Sequence, residues 1–119
     1  MSLMKKISMK RIEAIVLPSK EKEIIDALQQ TEIGGLTVTS GRGRGKGVRK
    51  IKPGLGRYIE RFNDVLSFVI IVEDSMVDEI VSILTEAAHT GSSGDGKIFV
   101  STIDEIVDIH TKEKGVKYI

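Results

Sequence analysis

The 119-residue chain has no cysteine and no tryptophan, two prolines, and an aromatic complement of three phenylalanines and two tyrosines. Without cysteine there is no disulfide framework, no thiolate nucleophile and no cysteine-based zinc site. So few rings leave little for the base stacking on which sequence-tolerant single-strand binders rely. No stretch supplies the ~18 uncharged apolar residues of a membrane-spanning helix, and no secretory signal opens the chain. A cytoplasmic protein without membrane insertion is expected. His89 and His110 are the only histidines. Isolated in this way they read as a helix-end residue and a strand-face residue, and no metal site is expected. Neither a Ser/His/Asp arrangement nor a carboxylate pair stands out, and Asp104, Glu105 and Asp108 read as a solvated acidic face. The chain is therefore expected to bind rather than to catalyse.

What is present suits one domain. Hydrophobic residues make up 40% of the chain, ordinary for a globular protein of this length. Met1-Ser2-Leu3-Met4 resembles a short expression-derived leader ahead of a second methionine. Residues 1–8 are set apart as a leader or disordered start, and residues 9–119 are taken as the domain. The net charge of +1 conceals an asymmetry. Between Gly41 and Arg57 lie seven basic residues and no acidic one; the rest of the chain carries 11 basic against 17 acidic residues. Such a segment is an anion-binding element or an arm for an acidic partner.

An internal echo organises the remainder. Ile15-Val16, Ser19, Glu23, Ile24, Ile25 and Leu28 recur 56 positions later as Ile71-Val72, Ser75, Glu79, Ile80, Val81 and Leu84. Each copy reads as a strand, a turn and an amphipathic helix. The spacing predicts strands over Arg11–Leu17 and Phe68–Val72, the second an unbroken apolar run of the kind buried on both faces. Ser19 is placed to cap the first helix, Ser75-Met76-Val77-Asp78 fits a capping box for the second, and Gly91 is placed to end it. Further strands are expected at Leu36–Thr39 and Ile98–Ser101, with a short final one over Ile106–Thr111. The order β-α-β, β-α-β is that of a ferredoxin-like α+β sandwich. Between the halves, Gly41–Asp64 holds six glycines and one proline, and a connection of this length in a compact domain is functional or disordered.

Two segments carry binding chemistry. In Thr90-Gly91-Ser92-Ser93-Gly94-Asp95-Gly96-Lys97 the glycines free backbone N–H groups to converge on an anion, with a lysine as point charge. The match is not to a Walker loop, since the segment leads into a strand. Gly41-Arg42-Gly43-Arg44-Gly45-Lys46-Gly47 alternates glycine with base and admits three readings: a phosphate nest, an arginine/glycine nucleic-acid arm, or a protein-docking loop.

From Met9 onward these segments together resemble the P-II nitrogen-regulatory signal-transduction family. Met9-Lys10-Arg11-Ile12-Glu13-Ala14-Ile15 is similar to its opening strand, Leu36-Thr37-Val38-Thr39 to its second, and Gly94-Asp95-Gly96-Lys97-Ile98-Phe99 to its most specific signature. The resemblance implies a homotrimer whose subunit clefts bind ATP or ADP, and a long loop that docks onto a regulated protein such as an ammonium transporter or a nitrogen-metabolism enzyme. By matching position it implies nucleotide contacts from Thr37, Gly43, Lys46, Ile71, Gly94, Asp95, Gly96, Lys97 and His110. Partner docking would fall to Arg44, Arg49, Lys50, Lys52, Arg57 and Tyr58. Three departures bear on this. The family's two phosphate-holding arginines on the last strand become Asp108 and His110. The glutamine that helps hold magnesium and 2-oxoglutarate falls at Gly47 or in a gap, and the lysine that pairs with 2-oxoglutarate becomes Val65. The tract around the tyrosine that some members modify is lost, although Tyr58 aligns with it. Adenine nucleotide binding is expected and 2-oxoglutarate binding is not. The alternative is a ferredoxin-like nucleic-acid-binding domain that uses the basic loop.

Overall fold

The structure, a computed structural model, describes residues 8–45 and 62–115. Strand β1 (Met9–Val16) leads through a 3-10 turn, Pro18–Lys20, into helix α1 (Glu21–Leu28) and then β2 (Leu36–Gly43). Strand β3 (Asn63–Glu73), a second 3-10 turn at Asp74–Met76, helix α2 (Val77–Ala88) and β4 (Gly96–Ile103) repeat that order. The four strands form one antiparallel sheet in the order β2-β3-β1-β4, the ferredoxin-like arrangement that the two echoing halves predict.

Alternation along the strands divides the sheet into two unlike faces. Ile12, Ala14 and Val16 of β1 stand beside Ile70, Phe68 and Leu66 of β3, and all six are buried. Helices α1 and α2 cover them with Ile24, Leu28, Ile80, Leu84 and Ala88. The i, i+3/i+4 spacing of these helical residues puts them on one stripe each, so both helices lie on the same side. The opposite face, free of helices, carries Arg11, Glu13 and Ile15 on β1, Ser67, Val69 and Ile71 on β3, Thr37 and Thr39 on β2, and Lys97 and Phe99 on β4.

Several local expectations need correction. The Phe68–Val72 run is not uniformly buried: Phe68, Ile70 and Val72 enter the core, whereas Val69 and Ile71 lie half-buried on the helix-free face. Ser19 caps nothing. It sits within the 3-10 turn, and α1 begins at Glu21 without a side-chain cap. Ser75 likewise falls inside a 3-10 turn, and the N-cap of α2 is Met76, so the capping box does not form. In both copies the tight turn shifts the helix start past the serine. Helix α2 ends with His89 as its cap, and Gly91, at φ +94°, belongs to the following loop. The final strand over Ile106–Thr111 reduces to a single bridge, Val107 to Lys114, around a turn.

The ladder of β2 and β3 also reaches further than the apolar pattern suggested. Gly41, Arg42 and Gly43 pair with Val65, Asp64 and Asn63, because backbone hydrogen bonding is indifferent to the missing side chains. The basic connection therefore springs from a paired stem.

Candidate functional site

The antiparallel register sets one end of the sheet against the two glycine-rich segments. Ser40, Leu66, Val16 and Gly96 form one row across the four strands, and Gly43 lies three residues beyond on β2. Both segments thus meet the same sheet end. Three inter-strand spacings put the β2 and β4 backbones ~14 Å apart.

Residues 90–97 connect α2 to β4 through a turn held by one carboxylate. Asp95 Oδ2 accepts the N–H groups of Thr90 (2.7 Å) and Gly91 (3.0 Å), and Oδ1 accepts the Thr90 hydroxyl. The Thr90 hydroxyl oxygen in turn accepts Ser92 N–H at 3.2 Å, and Ser92 Oγ accepts Gly94 N–H at 3.1 Å. The hydroxyl of Thr90, followed by its N–H and that of Gly91, holds the Asp95 carboxyl below the ordinary carboxylate range. Acceptance of several donors favours the ionised form. Both oxygens of Asp95, a residue expected at the nucleotide site, accept hydrogen bonds within the turn. The turn ends at Gly96, whose φ of +119° and close approach to β1 exclude a side chain. From there Lys97 pairs with Ile15 and takes its place on the helix-free face.

On that face, Thr39, Ser67, Ile15 and Lys97 make one row and Thr37, Val69, Glu13 and Phe99 the next. Ile71 follows, opposite Arg11. Thr37, Ile71 and Lys97, predicted from three distant parts of the sequence, are therefore gathered on one surface. Gly43 closes β2 at its end, and Gly94, Asp95 and Gly96 border it through the turn. His110 is exposed in the turn after β4 and stands outside this set. Arg44 is exposed just past the β2 stem; Lys46, Arg49, Lys50, Lys52, Arg57 and Tyr58 lie outside the described residues.

Sequence reasoning missed the polar centre of this face. Glu13 Oε1 pairs with Arg11 Nη1 at 3.0 Å, and Oε2 accepts the Ser67 hydroxyl at 2.7 Å. The Ser67 hydrogen bond first, then that from Arg11, keeps the Glu13 carboxyl below its usual range. The signal available was a charged residue in the middle of a β-branched strand, Arg11-Ile12-Glu13-Ala14-Ile15. No cluster of histidine and carboxylate ligands fit for a metal ion occurs among the described residues.

The family model for Nitrogen regulatory protein P-II matches residues 9–113. The chain belongs to that family. It is 43% identical over 109 residues to a nitrogen regulatory protein P-II of Azospirillum brasilense, covering 90% of this chain and 96% of the relative. Identity to a Bradyrhizobium diazoefficiens P-II protein is 42%, over 93% of this chain and all of the relative. A second P-II protein of Methanothermobacter thermautotrophicus is 40% identical over 95% of this chain and 99% of its own length. Among solved structures, Arabidopsis thaliana PII bound to citrate superposes with a TM-score of 0.76 at 29% identity, over 94% of this chain and 92% of that one. P-II proteins are regulatory signal transducers and not enzymes, which places this chain among regulators. No helix among the described residues is long and apolar enough to cross a membrane.

Proposed function

We propose that this P-II protein binds an adenine nucleotide, ATP or ADP, in the clefts between the subunits of a homotrimer and controls a partner protein through the Gly41–Asp64 connection. The observation that carries this reading is that Thr37, Ile71 and Lys97 share the helix-free face, with Lys97 in the row next to the sheet end that the glycine turn borders. Lys97 offers a point charge for phosphate, Ile71 an apolar contact for a base at the subunit border, and Thr37 a hydroxyl. The citrate carried by the Arabidopsis relative is a polyanion, in keeping with a small anionic effector.

The functional unit is residues 9–119 assembled as a cytoplasmic homotrimer. The helix-free face holds Val69, Ile71 and a Phe99 that is 53% exposed, an apolar content that favours cover by other copies. Nucleotide would favour one arrangement of the connection, and the partner, an ammonium transporter or nitrogen-metabolism enzyme, would bind one arrangement better. Calorimetric titration with ATP, ADP and AMP, with and without magnesium, tests the reading. Saturable adenine nucleotide binding is expected, and no heat from any of the three would overturn it.

A further inference from the structure

The glycine turn between α2 and β4 is closed on itself. The N–H groups of Thr90 and Gly91 donate to Asp95 Oδ2, that of Ser92 to the Thr90 hydroxyl oxygen, and that of Gly94 to Ser92 Oγ. Asp95 N–H donates to the carbonyl oxygen of Ser92 at 3.2 Å. From Thr90 to Asp95, Ser93 alone keeps an N–H without a partner among the described residues. The sequence suggests amides free to converge on an anion, but the fold has assigned them to the turn's own oxygens. An anion that takes any amide here besides that of Ser93 must displace one of those oxygens.

These oxygens resist displacement unequally. The Asp95 carboxylate holds two amides and the Thr90 hydroxyl at once, so removing it breaks three bonds, all of them charge-assisted. The Thr90 hydroxyl donates to Asp95 while it accepts Ser92 N–H, and it cannot turn away without loosening that clamp. The Ser92 carbonyl moves only with the backbone. Ser92 Oγ is different: an exposed side chain holds it, and its one bond is that from Gly94 N–H, at 3.1 Å. Rotation about a single side-chain torsion uncovers the amide. A Cβ built on Gly94 would meet Ser92 Oγ at 3.7 Å and no other atom within 4 Å, so the space beside Gly94 is otherwise open. An amide bonds an ionised oxygen about twice as strongly as a neutral one, which makes this exchange favourable for a phosphate.

We propose that Ser92 Oγ is a placeholder for a phosphate oxygen: on binding, the hydroxyl rotates off Gly94 N–H and an oxygen of the nucleotide takes its position. The inference rests on the nucleotide reading above and adds what sets the affinity. The ligand gains one bond from Gly94 but breaks the one already there, so the turn binds more weakly than it would with that amide free. Ser92 is then a specificity-determining residue, since it taxes any ligand that needs Gly94 N–H and leaves one that does not unaffected.

Calorimetry and amide proton exchange test this. Ser92→Ala removes the competing oxygen and should bind ATP about fivefold more tightly than wild type, the ~1 kcal/mol of one neutral hydrogen bond. Ser92→Thr keeps a hydroxyl and should bind as wild type does. In the nucleotide-free protein, NMR should show the Gly94 amide proton exchanging with water several-fold faster in Ser92→Ala. The Thr90 amide, held by Asp95, should exchange alike in both. If alanine loosens the Asp95 clamp, wild type alone decides: ATP should move the Gly94 amide resonance downfield as an ionised acceptor replaces a neutral one, and an unmoved resonance overturns the placeholder. If wild type binds ATP and Ser92→Ala with an intact clamp binds equally or less tightly, the placeholder is overturned while the nucleotide reading stands. Equal Gly94 exchange in the two free proteins overturns it as well. If neither protein binds ATP, both fall; binding by Ser92→Ala alone would support both.

Discussion

A Cβ on Gly96 would stand 1.9 Å from the carbonyl oxygen of Ile15 and 3.2 Å from Cα of Val16. The backbone of β4 thus enters the sheet at a distance from β1 that only hydrogen permits, and in a φ range that L side chains avoid. Gly96→Ala should destabilise the fold by ~2 kcal/mol or more, since steric and dihedral strain act together. Urea unfolding would show this as a lowered midpoint at unchanged slope. An unchanged midpoint would mean that β4 can shift to make room.

Asp95 should make the turn sensitive to acid. Its folded-state carboxyl lies below the ordinary range, so the ionised form is favoured by the turn. That contribution is complete above the unfolded pKa of about 3.9 and is lost as pH falls through the lower, folded value. Thr90 and Gly91 amide protection should hold at neutral pH and decline below about pH 4. Asp95→Asn should weaken protection at pH 7 and remove the pH dependence; protection in that variant equal to wild type would show that the carboxylate charge is dispensable.

For the nucleotide, Lys97→Ala should reduce ATP affinity at least tenfold, because it removes a charge-assisted contact worth roughly 1.5–3 kcal/mol. The core is untouched, as Lys97 is exposed. Equal affinity of the variant and wild type by calorimetry would remove Lys97 from the site.

Asp108→Arg bears on the altered last segment. A carboxylate at a phosphate-facing position repels, so the arginine variant should bind ATP more tightly. The substitution also removes the acceptor for Thr111 N–H, and a thermal melt in parallel separates turn loosening from affinity. Unchanged or weaker ATP binding with an intact melt would place Asp108 away from the phosphates.

For 2-oxoglutarate no saturable binding is expected at sub-millimolar concentration, with or without ATP and magnesium. Val65 stands on the helix-free face opposite Gly41, where it offers neither charge nor donor to a carboxylate. Losing two charge-assisted hydrogen bonds weakens a ligand by ~100-fold or more. A saturable heat in that range would show that basic residues elsewhere compensate.

The fold was legible because the apolar residues were placed with the right periods. Ile24, Leu28, Ile80 and Leu84 announced two one-sided helices, and the 56-residue echo announced their equivalence. Helix starts were misjudged since Ser19 and Ser75 match a capping pattern, while one 3-10 turn absorbs each of them before the helix begins. The length of β2 was hidden for the opposite reason: Ser40, Gly41 and Gly43 have weak strand propensity, and pairing with β3 overrides it. At the site, Lys97 and the glycine turn were evident from composition. Thr37 and Ile71 came through the family resemblance, because a shared face depends on register, which no local pattern of either strand contains. Glu13 and Ser67 are 54 positions apart, so their hydrogen bond could not be read without the β1–β3 pairing.

The stem made by Gly43 and Asn63 has a consequence for how the chain can change. Its two strands are already hydrogen-bonded to each other, so the ends of the intervening segment are joined by the fold itself. Doubling the length of such a segment adds only ~0.6 kcal/mol of closure entropy, and altering its composition leaves every register pair of the sheet in place. Recognition written between Gly43 and Asn63 can therefore diverge while the sheet, its glycine turn and its helix-covered core stay the same. Selection on what the protein touches is separated from selection on whether it folds.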